Sequence, residues 1–314
     1  MPNHRRRAAG IAALAALTAF AGFGALSLTS APARADQVGD MLKSVVTSVG
    51  PSIVSIRVVS SLTTTAGGQS QEHDITSTLR GVLVSSDGLV MCSDGYFSSD
   101  MLSRAMNIPP TGDVSVSLTA KEIHVTIGSE DKEYDAALAA QDNSLGLAFL
   151  QIRDLGQRTL PFVDFSAAPS AQPAIGDPTA SVTRLGKDHN YALIAIEDRI
   201  SGIVTTPRTG YVPEGYASSL GLPVYGPDGS LLGVDTVFDL GSSPTDRQND
   251  SLAHIYDDII AISHDQYIVP ASAVAPVIAQ AKARAAALPP ASSTPASAAT
   301  PAKPAAPTPD KTTK

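Results

Sequence analysis

The sequence predicts an all-β protein built from antiparallel barrels or a sandwich, and three observations carry that expectation. Short apolar or alternating runs recur along most of the chain, turn signals separate them, and no rhythm of strand, helix and strand suggests a parallel sheet. Helical stretches are few.

The opening residues read as a targeting segment. Arg5, Arg6 and Arg7 precede an apolar run from Ala8 to about Leu28, and Ala33-Arg34-Ala35 closes it with an A-x-A cleavage pattern. The run is rich in Ala and Gly and has no basic stop-transfer cluster after it, so residues 1–35 are expected to be a signal peptide rather than an anchor. The mature protein is therefore expected in the periplasm or outside the cell, with no integral membrane domain. The adjacent arginines are compatible with either the general or the twin-arginine export route.

Val38, Met41, Leu42, Val45 and Val46 then repeat at helical spacing up to Gly50-Pro51, predicting a helix of about three turns. Ser52 to Val59 alternates and is β-branched, which predicts the first strand. Further strands are expected at 81–85, 89–92, 123–127, 136–140, 147–152, 180–183, 191–196, 201–205, 222–225 and 231–236. Ser86-Asp87-Gly88 and Pro227-Asp228-Gly229 supply hairpin chemistry between them. Asp100 to Met106 is expected to form a helical turn before Pro109-Pro110, Leu240 to Asp250 an exposed loop, and Ala271 to Leu288 a closing helix. From Pro289 to Lys314 the chain is nearly all Pro, Ala, Ser and Thr, too poor in apolar surface to offset its ordering entropy, and is expected to be disordered. The domain is thus bounded at residues 36–288, about 250 residues, enough for a sizeable core.

Charge narrows the function. The signal segment carries four arginines and no acid, so the mature chain has 18 basic against 30 acidic residues, a formal charge of −12. Nucleic acid and anionic membrane surfaces repel such a protein, whereas a basic partner suits it. Cys92, the only cysteine, lies in the apolar run Leu89-Val90-Met91-Cys92 and reads as an inert buried thiol. His254 and Asp258 would share a face if helical, and His264-Asp265 follows, but no second ligand pair at tight spacing supports a metal site. No cofactor or metal is expected.

Five stretches, in order, resemble the protease domain of the HtrA (Deg) family of exported, chymotrypsin-like serine proteases. Met41 to Val46 leading to Gly50-Pro51-Ser52-Ile53-Val54-Ser55-Ile56 is similar to the family's first helix and strand. Gly81-Val82-Leu83-Val84-Ser85-Ser86-Asp87-Gly88-Leu89-Val90-Met91-Cys92-Ser93-Asp94-Gly95-Tyr96-Phe97 resembles G-F-I-V-S-P-D-G-L-I-V-T-N-A-H-V-V, with Gly95 where the family has its general-base His. Asp142-Asn143-Ser144-Leu145-Gly146-Leu147-Ala148-Phe149-Leu150-Gln151-Ile152 resembles D-P-x-T-D-L-A-L-L-K-I, with Gly146 in place of the orienting Asp. Ser218-Ser219-Leu220-Gly221-Leu222-Pro223-Val224-Tyr225, followed by Gly233-Val234-Asp235-Thr236, resembles G-N-S-G-G-P-L-V and G-I-N-T, with Leu220 in place of the nucleophile. Tyr267-Ile268-Val269-Pro270-Ala271 is similar to the last strand and the start of the C-terminal helix.

The resemblance implies two six-stranded antiparallel β-barrels with short terminal helices. It also implies a pseudoprotease. Acyl transfer on this fold needs a hydroxyl, an imidazole and a carboxylate, and Leu220, Gly95 and Gly146 supply none. The turn that holds the oxyanion donors is altered too, with Ser218 and Leu222 in place of glycines beside Ser219 and Gly221. The expected role is binding of a protein or peptide in the former substrate cleft. One alternative is a structural component tethered by the Pro/Ala tail, which follows the domain where family members often carry a PDZ domain. The other is an endopeptidase with a relocated nucleophile, Ser218 or Ser219, served by His73, His124, His189, His254 or His264.

Overall fold

The computed structural model describes residues 34–105, 108, 113–167, 172–206, 208–215, 219–237 and 266–289. Leu240 to Asp250, the His254–Asp258 and His264-Asp265 stretches, Ser218, the apolar signal run and the Pro/Ala tail beyond Pro289 lie outside these residues. Helix α1 (Arg34–Val49) leads through a 3-10 turn at Gly50–Ser52 into β1 (Ile53–Ala66), β2 (Gln69–Leu83) and β3 (Leu89–Ser93). A 3-10 turn at Asp94–Tyr96 and helix α2 (Ser99–Ala105) come next, then β4 (Val114–Ile127), β5 (Glu133–Asp142) and β6 (Leu147–Ile152). The second half holds β7 (Pro178–Arg184), β8 (Leu193–Val204), β9 (Gly210–Pro213), β10 (Pro223–Tyr225), β11 (Leu231–Val237), β12 (Gln266–Pro270) and helix α3 (Ala271–Ala286).

Every strand pairing is antiparallel, and the strands close into two barrels of six, in the orders β1-β2-β3-β6-β5-β4 and β10-β11-β12-β9-β8-β7. Closure leaves no edge in the barrel itself. The expected fold class is therefore what the chain adopts, including both terminal helices.

Burial explains the apolar runs. In β3, Val90 and Cys92 point into barrel 1 with Val54, Ile56, Leu83, Val125 and Leu150. Leu89 and Met91 point the other way, into a larger core shared with Phe149 of β6, Val234 and Val269 of barrel 2, Val45 of α1 and Val274 and Ile278 of α3. A strand buried on both faces shows no alternation, which is why Leu89 to Cys92 reads as a continuous apolar run. The dominant core is thus the seam between the barrels, gripped by the two terminal helices.

Three differences from the sequence expectation have physical causes. The runs at 191–196 and 201–205 are one bulged strand, β8, whose exposed Glu197 and Arg199 interrupt the pattern. Strand β9 is only four residues and ends in Pro213, so it carries little signal. Strands β2 and β4 begin far earlier than expected, because Gln69–Arg80 and Val114–Ile123 pair with β1 in a three-stranded arm beyond the barrel, where one side needs no apolar residues. Helix α2 packs on that arm, and Ser99 Oγ accepts from Leu118 N at 2.9 Å.

Arg184 joins the halves. It is buried, and its guanidinium donates to Ile53 O (3.2 Å), Tyr191 O (2.8 Å) and Gly50 O (2.9 Å), while Arg80 Nε donates to the carbonyl of Arg184. Burial holds both guanidinium pKa values below the usual arginine range. A lysine ammonium cannot span three carbonyls in this fork geometry. Arg184→Lys is therefore expected to destabilise the fold by about 2–3 kcal/mol and Arg184→Ala by somewhat more, since Gly50 and Ile53 lose their donor; chemical denaturation of the variants measures it.

Candidate functional site

The end of β3 gathers the residues singled out by the sequence. Asp94 N donates to Gly146 O at 3.0 Å, which sets Gly95 beside the Gly146 turn. A Cβ on Gly221 would lie 2.3 Å from Ser93 N, so the backbone of the Ser219–Leu222 turn lies directly against the same strand end. Gly95, Gly146 and Leu220, 125 residues apart in sequence from first to last, thus converge on one point of the inter-barrel seam.

The three positions differ in what they tolerate. At Gly95 an added Cβ would meet, among the described residues, only Ser93 Oγ, at 3.6 Å, an ordinary van der Waals contact. Gly146 has φ +65°, and a Cβ there would lie 2.4 Å from Val237 O and 2.7 Å from Thr236 Oγ1. Thr236 Oγ1 donates to Leu145 O at 2.8 Å, so strand β11 closes over this turn. Leu220 is 37% exposed, an apolar side chain turned to solvent. Leu222, by contrast, is fully buried in the seam.

Gly221 has φ +79° and donates its N–H to Asp235 O at 2.7 Å, while Leu222 N donates to Ser219 O (2.8 Å) and Asp235 N to Leu222 O (3.0 Å). The turn is therefore locked to β11 by main-chain bonds. Ser219 is buried and its Oγ donates to Asp235 Oδ2 at 2.6 Å, so this hydroxyl is turned into barrel 2. His73 stands exposed in the arm opposite Leu62. His124 contacts Glu122 and Asp135 on the outside of barrel 1, and His189 lies in the 3-10 turn at Lys187–His189. None of these three is hydrogen-bonded to Ser219. Cys92 is buried, with Sγ 3.7 Å from Ala148 O, and burial pushes its thiol pKa far up, with the charge of Asp94 adding to the effect.

Two carboxylates belong to this region that the motif comparison did not single out. Asp94 has no exposed surface, and neither of its carboxylate oxygens has a hydrogen-bond partner in the protein. Burial, with the charge of Asp142 added, raises its pKa to about 6. Asp235 is 1% exposed; Oδ2 accepts from Ser219 Oγ and Gln266 Nε2, both at 2.6 Å, and Oδ1 has no partner. Burial raises its pKa to about 7, against those two hydrogen bonds and with the charge of Asp198 adding. A carboxylate inside an apolar strand such as Leu231-Leu232-Gly233-Val234-Asp235 was the available signal, since an acid in that setting is rarely ornamental.

Among the described residues, no group of three or more His, Cys, Asp or Glu side chains is placed to hold a metal ion, and no helix is long and apolar enough to cross a membrane. No family profile matches the chain, and no curated protein matches it. The class of protein is therefore defined by the architecture alone: two closed six-stranded antiparallel barrels, consistent with a chymotrypsin-like fold.

Gly95→His is expected to cost less than about 1 kcal/mol, whereas Gly146→Asp, strained at positive φ and clashing with backbone, is expected to cost about 3 kcal/mol or more; thermal unfolding of the two variants checks the contrast. The buried acids set a pH dependence. A carboxyl whose folded pKa lies above its unfolded value near 4 gives the folded state extra protons, so its stabilisation is complete below about pH 4. That stabilisation is lost as pH rises through about 6 for Asp94 and about 7 for Asp235. Relative to the wild type, Asp94→Asn and Asp235→Asn are expected to gain about 1–3 kcal/mol between pH 4 and pH 8. Unfolding curves at both pH values measure this difference, and equal differences at the two pH values would contradict it.

Proposed function

We propose that the protein is an exported, non-catalytic relative of the HtrA-type serine proteases, a pseudoprotease that binds an extended peptide or protein segment in the cleft at the end of β3. The observation that carries this reading is the convergence of Gly95, Gly146 and Leu220 on one site, each where the resemblance implies a member of the catalytic triad. No hydroxyl nucleophile, imidazole or carboxylate stands at those positions, so the acyl-transfer route has neither attacking atom nor proton acceptor there. The exposed Leu220 offers an apolar contact in place of a nucleophile. The basic N-terminal segment, apolar run and A-x-A pattern support a periplasmic or secreted location. The acidic mature chain favours a basic partner and disfavours nucleic acid.

Ser219 supports the same reading, because its Oγ is buried and committed to Asp235, which removes one of the two candidate relocated nucleophiles from the cleft. The mature protein is expected to show no covalent adduct by intact mass after exposure to a fluorophosphonate probe, and to give saturable binding curves with extended peptides. A probe adduct that disappears in the Ser218→Ala, Ser219→Ala double variant would replace this reading with a relocated hydrolase.

A further inference from the structure

The barrels are closed, but the arm that continues beyond barrel 1 is not. There β1 lies between β2 and β4, so the outer sides of Gln69–Arg80 and Val114–Ile123 are sheet edges. Strand β2 meets β3 only from Gly81 onward, and β4 meets β5 only from His124.

The hairpin turn fixes which backbone groups face outward. Gly67 and Gly68, at φ +57° and +77°, form a two-residue loop closed by Ala66 and Gln69. Such a loop makes its flanking residues a hydrogen-bonded pair. The register then runs without a shift along β2, so its odd-numbered residues bond to β1. Ser70, Glu72, Asp74, Thr76 and Thr78 therefore turn both N–H and C=O away from the arm. The same alternation along β1 turns Leu118 N outward on the other side, where Ser99 Oγ accepts from it at 2.9 Å.

Open edges invite pairing, and folded proteins guard them with bulges, lysines, prolines or a covering element. The β4 edge is guarded twice, by the register shift at Val59 and Ser60 and by helix α2 with its Ser99. The β2 edge has none of these devices. Its pairing with β1 is regular, Gln69–Arg80 holds no proline or lysine, and among the described residues no strand pairs with its outer side. Gln69 to Asp74, Thr76 and Thr78 are all exposed.

Charge decides what fits there. Lys121 Nζ already meets Glu72 (3.2 Å) and Asp74 (2.6 Å), and Ser61 Oγ donates to Glu72, so the acids of this edge do not call for a basic strand. Its other outward residues are neutral Ser and Thr. A strand edge is complementary to an antiparallel copy of itself about a two-fold axis. Centring that axis on Glu72 or Asp74 sets a carboxylate against its own copy, and centring it on His73 sets Glu72 against Asp74. A centre at Ile75 avoids all three, because Ile75 then faces Ile75, Asp74 faces Thr76, and Glu72 faces Thr78. That register forms about eight main-chain hydrogen bonds from groups already pointing outward.

We propose that two copies of the mature chain associate through the β2 edge, antiparallel and centred on Ile75, so that the two three-stranded arms become one continuous sheet. This assembly does not depend on the binding role of the cleft.

Sedimentation velocity of the full mature chain from about 1 to 200 µM is expected to show a reversible monomer–dimer equilibrium. Thr76→Pro removes an outward N–H without touching a bond to β1, and Ile75→Lys sets two like charges on the axis. Each is expected to raise the dimer dissociation constant at least about tenfold with thermal unfolding little changed. Mixing Ile75→Lys with Ile75→Glu is expected to restore the dimer. Cross-linking reads the register, since Cys92 is buried. Ile75→Cys occupies a non-hydrogen-bonded pair, where Cα atoms approach to about 4.5 Å, and is expected to give a disulfide-linked dimer under mild oxidation. His73→Cys is expected to link only when mixed with Ser77→Cys. A chain that stays monomeric throughout, as an edge kept for a foreign extended segment would give, overturns the proposal. So does a dimer that neither Thr76→Pro nor Ile75→Lys weakens, or one in which His73→Cys alone links as well as Ile75→Cys. Should Thr76→Pro fail to fold, the Ile75 charge pair and the cross-links decide.

Discussion

Burial of β3 and β6 on both faces is the constraint on which the remaining structure depends. Leu89, Met91, Leu147 and Phe149 look outward from barrel 1 into the seam, while Val90, Cys92, Ala148 and Leu150 look inward, and none of them retains exposed surface. Hydrophobic burial of this kind favours close approach of the barrels. Close approach in turn requires backbone without side chains at the points of contact. Gly146 beneath β11 and Gly221 against Ser93 are the residues that permit it, both at positive φ.

The same seam governs what chemistry the cleft can support. At Gly146 the space for a side chain is already taken by Val237 O and Thr236 Oγ1, so this position is part of the packing between the barrels. At Gly95 only Ser93 Oγ among the described residues lies within 4 Å of an added Cβ, while Ser219 Oγ is held by Asp235. The contacts that hold the Ser219–Leu222 turn in place run through main-chain N–H and C=O groups of Gly221, Leu222 and Asp235. Those bonds do not involve the side chain of Leu220, which is exposed.

Asp94 and Asp235 show that the interior was not simply made apolar. Each lies next to the contact between the halves, each has at least one oxygen without a donor, and burial raises both pKa values into the range of ordinary physiological pH. Such groups lower stability when ionised and unpaired. Arg184 and Arg80 are the opposite case, buried cations whose donors meet carbonyl oxygens across the junction between α1, β1 and β7. Arg184 and Arg80 thus tie α1, β1 and β7 together, while Asp94 and Asp235 keep buried carboxylate oxygens without a donor.

The sequence by itself determined the class of fold and most of the strands, because short β-branched runs, Asp-Gly turns and helical spacing at the two ends are local signals that depend on few neighbours. Through the resemblance it also pointed to Gly95, Gly146 and Leu220, since the flanking apolar stretches that locate them are barrel strands whose burial keeps them recognisable. It did not show the arm of β1, β2 and β4, whose largely polar strands Gln69–Arg80 and Val114–Ile123 are held mainly by pairing, with only Leu79, Val116 and Ile123 buried among their apolar side chains. Nor did it show that Asp235 meets Ser219 and Gln266, residues 16 and 31 positions away, or that Val237 closes over Gly146. Those relations exist only once the barrels close and pack, because they depend on which residues from distant strands share one interior, and no local pattern encodes that.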